Sequence, residues 1–287
     1  MDAAFIRSRK FHDFNCLNMR LGKLLFGRSS GSAPGTVITF TGGMGAQIIS
    51  AAIYFFLKNR GDAVFADLSY FNRTPHVATP GKSGDISYWP WQLDAFDLSP
   101  DSFGVLESYS RRDVRLIEDG LEKLELALKA LSQPEVRKYF AIPEDVTDVL
   151  PVGESPDYLC IHVRRGDYVN VASHLVTDRQ FIGLAAKFSG LVKHLVVVSD
   201  SPIGADFRQM ISTGFEQAVF LDNIDAFASH RVMRSARILI CSNSQFSLIA
   251  AMLNTRALVI VPKQWFGIKD RVLEKPINEA CDFQVLG

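Results

Sequence analysis

The run "LCIHVRRGDYVN", residues 159–170, ends an apolar strand-like segment in two adjacent arginines, with a glycine and an aspartate directly after them. A guanidinium is permanently charged, and its fork of donors matches phosphate or carboxylate oxygens. Two of them at the end of a buried strand call for an anion. That anion is either a bound ligand or an internal acid such as Asp167. Side chains alternate along a strand, so Cys160, His162 and Arg164 share one face and Ile161, Val163 and Arg165 the other. One arginine can then face a cleft while the other faces the scaffold. Gly166 permits a tight turn, and Asp167 can orient an arginine.

Three further stretches bear chemistry. In "ICSNSQFSLIAAML", residues 240–253, a buried strand runs into Ser242, Asn243 and Ser244 and then into a helix led by Gln245 and Phe246. Serine and asparagine cap helices. A helix start at a strand's C-terminal edge also presents free N–H groups that suit phosphate. Ordinary capping is the alternative. In "TFTGGMGAQI", residues 39–48, Gly42, Gly43 and Gly45 form a strand-to-helix turn that a ligand can approach closely. As a dinucleotide fingerprint this turn is incomplete, because Ile48 stands at the third glycine position. Asp67 does end the next strand, as a ribose-binding acid would, so an NAD-type reading stays open. No P-loop lysine follows the glycines. In "VIVPKQWFG", residues 259–267, Lys263 and Trp265 lie near the same sheet edge, and packing is the plain role for Trp265.

The remaining histidines, His12, His76, His174, His194 and His230, form no metal-ligand spacing, and the chain has no D-x-D triplet. No metal and no cofactor are expected. A diphosphate held without a metal needs arginines, amides and hydroxyls, which the first two motifs supply.

These motifs need a frame. The 287 residues are 47% hydrophobic and 22% charged, ordinary for a globular chain with room for two cores. Formal net charge is zero, which argues against nucleic acid as a partner. The four cysteines are far apart, and Cys160 and Cys241 sit inside apolar runs, which points to buried free thiols in a reducing compartment. No stretch approaches the ~20 apolar residues of a membrane span. Residues 1–28 are basic, and "FNCLNMRLGKLLFGR" reads either as a solvated extension or as an amphipathic helix on an anionic membrane surface.

From residue 36, "TVITF", the glycine turn, a long apolar helix closed by Gly61, and "AVFADL" make a β-turn-α-β unit. "LIEDGLEKLELALKALS", residues 116–132, has the periodicity of an amphipathic helix. The acidic, proline-bearing stretch 141–157 is the candidate boundary. Beyond it the strands "YLCIHV", "HLVVVSD", "QAVFLD", "ARILICS" and "ALVIVP" alternate with helices starting near Thr177, Ala205, Asp225 and Ser244. Strands apolar on both faces belong to a parallel sheet under helices. The domain reading is an extension over 1–35, a first α/β domain over 36–150 and a second over 151–287.

In their order and spacing, "GGMGAQ" (42–47), "HVRRGDY" (162–168) and "SNSQFS" (242–247) resemble the α-1,2-fucosyltransferases of glycosyltransferase family 11. "FADLSYF", "WQLDAFDL", "VVVSD" and "VPKQWF" are weaker landmarks, so the resemblance runs from about Val37 to Phe266. It implies a GT-B-like α/β fold, with two Rossmann-like domains facing across a cleft. It also implies GDP-fucose as donor, no metal, inversion at the sugar carbon, and a glycan acceptor such as a lipid-linked oligosaccharide. By position, Arg164 binds the β-phosphate, with Arg165 beside it and His162 near the nucleotide. Asn243, Ser244, Gln245 and Phe246 border the diphosphate, while Gly42, Gly43, Gly45 and Gln47 face the donor from the other domain. Asp167 is the motif's acid, either catalytic or holding an arginine. The resemblance places the protein in the cytoplasm, either soluble or, should the basic N-terminal segment form its amphipathic helix, peripheral at the inner face of the membrane. Three positions depart from the family. Ala46 replaces the loop asparagine, Leu248-Ile249 an aromatic pair, and Ser229 an acid, for which Asp225 is the candidate substitute. Ala46 leaves open a sugar-nucleotide binder with little turnover, beside the NAD-type oxidoreductase.

Overall fold

The computed structural model describes residues 35–72, 89–106, 108–118, 120–142, 157–170, 175–222, 224–262 and 283–286. The N-terminal extension, most of the boundary stretch, His12, His76, His174, Lys263 and Trp265 lie outside the described residues.

Two sheets organise the chain. In the smaller, β1 (Thr36–Thr39) leads through α1 (Met44–Asn59) to β2 (Val64–Asp67), and β3 (Arg115–Ile117) pairs on the other side of β1. The order is β2-β1-β3, all parallel. Helix α1 is apolar nearly all round because it is buried nearly all round, with Ile48, Ala51, Ala52 and Ile53 wholly inaccessible. Gly61, at φ 82°, turns the chain after it.

The stretch 116–132 is not one helix. Leu116 and Ile117 pair with Val37 and Ile38 as β3, and α2 (Leu121–Leu131) begins only after Gly120. Gly120 sits at φ 148°, a conformation that side chains rarely adopt, and it separates the two elements. The open edge of β1 outweighs the helical propensity of these few residues. A short α3 (Pro134–Arg137) follows, with proline in its first turn.

The larger sheet is built from β4 (Tyr158–Val163), β5 (His194–Ser199), β6 (Gln217–Asp222), β7 (Ile238–Ile240), β8 (Leu258–Pro262) and β9 (Phe283–Leu286). Its order is β6-β5-β4-β7-β8-β9, parallel except for the antiparallel edge strand β9. Helices α4 (Asp178–Phe188), α5 (Ala205–Ile211), α6 (Ala226–Ser235) and α7 (Gln245–Leu253) connect it.

The faces of this sheet separate as alternation requires. Leu159, Ile161, Val163, Leu195, Val197 and Ile240 pack with Phe181 of α4 and Phe207 of α5. Cys160, Val196, Val198 and Leu239 pack with Met233 of α6 and Ile249 of α7 on the other face. That second cluster continues without a break into Ile38, Ile48 and Ile53, so the two sheets share one core. Cys160 and Cys241 are free thiols inside it, and burial pushes the Cys241 thiol up to about 12. The α/β, two-sheet architecture agrees with the GT-B-like expectation.

Candidate functional site

Counted from β4, the strands of the large sheet run 3-2-1-4-5, with β9 added at the edge. The chain leaves β4 toward β5 on one side and returns to β7 on the other. Such a reversal opens a crevice at the C-terminal ends of the two central strands, where parallel sheets hold their ligands. Arg164 follows β4 and Ser242 follows β7, so both motifs stand at that point.

The two strand ends are tied together. His162 Nδ1 lies 2.7 Å from Ser242 Oγ, and both residues are buried. Burial, reinforced by the Arg164 charge, pushes the His162 imidazole down to about 3, so the ring is neutral at pH 7. Phe246, in the first turn of α7, lies between two histidine rings, 5.6 Å from His162 and 5.4 Å from His230.

The two arginines have different partners. Arg165 is anchored in the scaffold. Its Nη1 donates to Val176 O at 2.7 Å, its Nη2 pairs with Asp178, and its guanidinium lies over the Phe181 ring. It fixes the start of α4. Arg164 stays at the sheet rim, its side chain 21% exposed, over the Tyr168 ring at 5.2 Å. Its Nη1 donates to Asp200 Oδ2 at 2.8 Å, and the other carboxylate oxygen accepts from the Arg165 backbone N–H at 2.8 Å. Asp200 is thus an acid that orients Arg164; Asp167, the sequence candidate for such a role, has its side chain outside the described residues. The signal for Asp200 was available, since "VVVSD" ends on this acid and β5 is the parallel neighbour of β4. Gly166 makes the contact possible, because a Cβ there would stand 2.7 Å from Asp200 Oδ2.

Ser244 is the N-cap residue of α7 but makes no side-chain capping bond, contrary to the ordinary-capping alternative. Ser247 Oγ instead donates back to the Ser242 and Ser244 carbonyls and shapes the turn. Asn243 is fully buried behind it. The first N–H groups of α7 have no side-chain cap and lie beside Arg164's strand.

The glycine turn of the small sheet meets this helix end directly. A Cβ at Gly45 would lie 2.7 Å from Phe246 Cα and 2.8 Å from its N, so Gly45 is required by the contact between α1 and α7. Gly42, at φ 69°, makes the turn, and Gly43 packs against Trp89. Gln47 was expected to face the donor but is wholly buried. Its Nε2 donates to Gly42 O and Pro90 O, both at 2.8 Å, and its Oε1 accepts from Gln92 N. With its amide engaged by backbone, Gln47 builds the loop. Asp225 Oδ1 accepts from Ala228 N at 2.9 Å and caps α6. Asp67, the ribose-binding acid of the NAD reading, accepts from Ser69 N and from the Tyr109 hydroxyl. Burial and that carboxylate raise Tyr109 to about 12. Both features of the NAD reading are thus engaged within the protein, Asp67 by Ser69 and Tyr109 and Gly45 against the start of α7.

His230 was not singled out by spacing. It is 1% exposed, and neither ring nitrogen has a hydrogen-bond partner. Burial holds it well below its ordinary value, helped by the Arg234 charge. Among the described residues, no three His, Cys, Asp or Glu side chains group as metal ligands would, and no helix is long and apolar enough to cross a membrane.

Residues 147–274 match the family model of glycosyl transferase family 11, a segment that holds the arginine and serine motifs whose resemblance pointed there. No curated protein matches the chain in sequence. Similar solved structures include POFUT1 in complex with GDP, 14% identical, TM-score 0.45, over 79% of this chain and 97% of that one. NodZ alpha-1,6-fucosyltransferase soaked with GDP-fucose is 11% identical, TM-score 0.42, over 88% and 98%. The E. coli heptosyltransferase WaaC with ADP-2-deoxy-2-fluoro heptose is 9% identical, TM-score 0.39, over 78% and 87%.

Proposed function

Taking the match of residues 147–274 to glycosyl transferase family 11 as premise, we propose that this chain is a metal-independent, inverting glycosyltransferase that moves fucose from GDP-fucose to a glycan hydroxyl in α-1,2 linkage. The observation that carries the reading is the pairing, at the switch point, of Arg164 with the uncapped start of α7, linked through His162 and Ser242.

The chemistry follows from that pairing. The acceptor oxygen forms a bond to the sugar carbon as the bond to the β-phosphate oxygen breaks, and the bonding pair leaves with GDP. Negative charge grows on that oxygen. Arg164, pre-oriented by Asp200 and Tyr168, and the N–H groups of α7 stabilise the developing charge more than the ground state. Neutral His162 holds the two strand ends together without adding charge. The acceptor's proton passes to a base, for which Asp167 is the motif's candidate. Ala46 favours one second reading, a sugar-nucleotide binder with little turnover, because a methyl group stands where the family's asparagine is expected.

A panel of GDP-fucose, GDP-mannose and UDP-sugars, assayed for nucleotide release with glycan acceptors and no added divalent ion, tests the proposal. Acceptor-dependent release from GDP-fucose is expected. Tight GDP binding without release supports the second reading. NAD binding with no GDP binding would overturn both.

A further inference from the structure

Trp89 and Trp91 are close in sequence but are held differently. Trp91 packs against the core of the small-sheet half. Its indole N–H donates to Leu98 O at 2.8 Å, and its ring stacks on Phe40 and meets Phe71 and Phe103 edge-on. Trp89 lies outside that core, with its side chain partly exposed. Among the described residues its ring has no aromatic neighbour and its indole N–H has no acceptor. Its backbone is fixed, because Trp89 N donates to the Tyr70 hydroxyl at 3.2 Å. The indole lies over Gly43, where a Cβ would come within 3.3 Å of the ring. An indole usually finds a partner for its N–H where the protein uses it structurally, as Trp91 does.

Gln92 is a second unengaged group at the same turn. Its backbone N–H donates to Gln47 Oε1 at 2.9 Å, and Gln47 Nε2 binds Gly42 O and Pro90 O. The loop is thus tied to the glycine turn through its backbone, and the Gln92 side chain is not needed to hold it. Gln92 Oε1 is buried without a hydrogen-bond partner, 3.7 Å from where a Gly43 Cβ would stand. A buried acceptor left without a donor is costly. The residue itself is partly exposed, and the last torsion of a glutamine is soft, so this oxygen can turn to a donor arriving at the rim. An exposed indole face beside an unused acceptor matches a particular ligand chemistry. A sugar ring carries C–H bonds on one face and hydroxyls around its edge, so it stacks on the indole and donates to the amide oxygen. A purely apolar ligand would leave the oxygen unpaired, and an anion would be repelled by it.

We propose that Trp89 and Gln92 form the subsite for a sugar ring of the acceptor, with its C–H face on the indole and one hydroxyl donating to Gln92 Oε1. The inference rests on the transferase reading for the role of that sugar. Its place in the fold suits the role. The turn that puts Gly43 under Trp89 also puts Gly45 against the backbone of Phe246, in the first turn of α7. The indole therefore stands on the small-sheet side of the contact whose other side, in the transferase reading, faces the donor's pyrophosphate. An acceptor hydroxyl has to reach the sugar carbon next to that pyrophosphate, and a ring held on Trp89 lies at the adjoining rim. Because the loop is clamped by Gln47 and Tyr70, the subsite is set before the ligand arrives.

The test compares the full chain as wild type, Trp89→Ala, Trp89→Phe and Gln92→Leu. Each is applied, with GDP present, to an array of galactose-, glucose- and mannose-terminated oligosaccharides, and the one bound best then serves as acceptor in initial-rate measurements with GDP-fucose. Wild type should bind, Trp89→Ala should bind about tenfold or more weakly, and Trp89→Phe should recover most of the loss. In transfer, the loss should fall on acceptor KM more than on kcat. Gln92→Leu removes no hydrogen bond made by its side chain among the described residues, so it should melt no lower than wild type yet bind the oligosaccharide about fivefold more weakly. A purely structural glutamine would show the opposite, a lower Tm with binding intact. If Trp89→Ala does not fold, Gln92→Leu decides. Wild type that binds no oligosaccharide, or variants that bind as wild type does, overturn the subsite. Trp89-dependent oligosaccharide binding with neither GDP binding nor transfer sinks the transferase reading alone. Transfer with an acceptor KM indifferent to Trp89 and Gln92 sinks the subsite alone.

Discussion

The turn after β1 and the turn after β7 look alike in sequence, each a run of small residues between a buried strand and an apolar helix, yet they do different work. The glycines after β1 serve contact between parts of the protein. Gly45 lets α1 reach the backbone of α7, and Gly43 lies under Trp89. The serines after β7 leave their helix start uncapped, beside an arginine held by an acid on the neighbouring strand. Small residues at a strand end therefore mark close approach, and only the surrounding charges tell whether the approach is by protein or by ligand.

The comparison can be broken at either end. Arg164→Ala should remove the contact that grows in the transition state and cost about 2.7–4 kcal/mol, roughly 10²–10³ in turnover, with the melting temperature little changed. Arg165→Ala should do the reverse. It loses the Val176 and Asp178 contacts that fix α4, so stability falls by roughly 1–3 kcal/mol in urea unfolding. Two adjacent arginines with the same phenotype would contradict the division of roles.

On the glycine side, Gly45→Ala should destabilise by roughly 1–3 kcal/mol, because its Cβ meets helix backbone, which cannot give way as a side-chain tip can. Thermal melts check this, and a neutral result would mean that the two helices are not in contact. The histidine bridge sharpens the picture through pH. His162 titrates near 3 when folded and near its ordinary 6.5 when unfolded. Between those values the unfolded chain binds more protons, so stability falls as pH drops below about 6.5 and the loss levels off near 3. At pH 5 the loss from His162 is about 2 kcal/mol, and buried His230 acts in the same direction. Urea melts at pH 7 and pH 5 measure it, and His162→Gln should flatten part of the slope. The smallest effect belongs to Asp225→Ala, which loses a cap worth about 1 kcal/mol and leaves GDP affinity unchanged.

Much of this was legible in the sequence because strand periodicity and helix starts are local. Unbroken apolar runs gave the parallel strands, and alternation put Arg164 and Arg165 on opposite faces. What was hidden depends on neighbours distant in the chain. Asp200 meets Arg164 because β5 lies beside β4, across 36 residues of sequence. Gln47 reads as a loop residue facing a ligand until the 90–92 backbone is seen closing over its amide. The helical periodicity over 116–132 concealed β3, whose three residues are a strand only because β1 offers an edge. Lys123 reads as one more charge on an amphipathic helix, since nothing local shows that its head turns inward to donate to Thr39 O.

The central claim is that Arg164 and the start of α7 hold a pyrophosphate without help from a divalent ion. Titration of GDP, with chelator present, into wild type and into folded Arg164→Ala tests it most directly. The account predicts binding by wild type and its loss by at least about tenfold in the variant. Equal affinity in the two proteins, or no binding until magnesium is added, would contradict it.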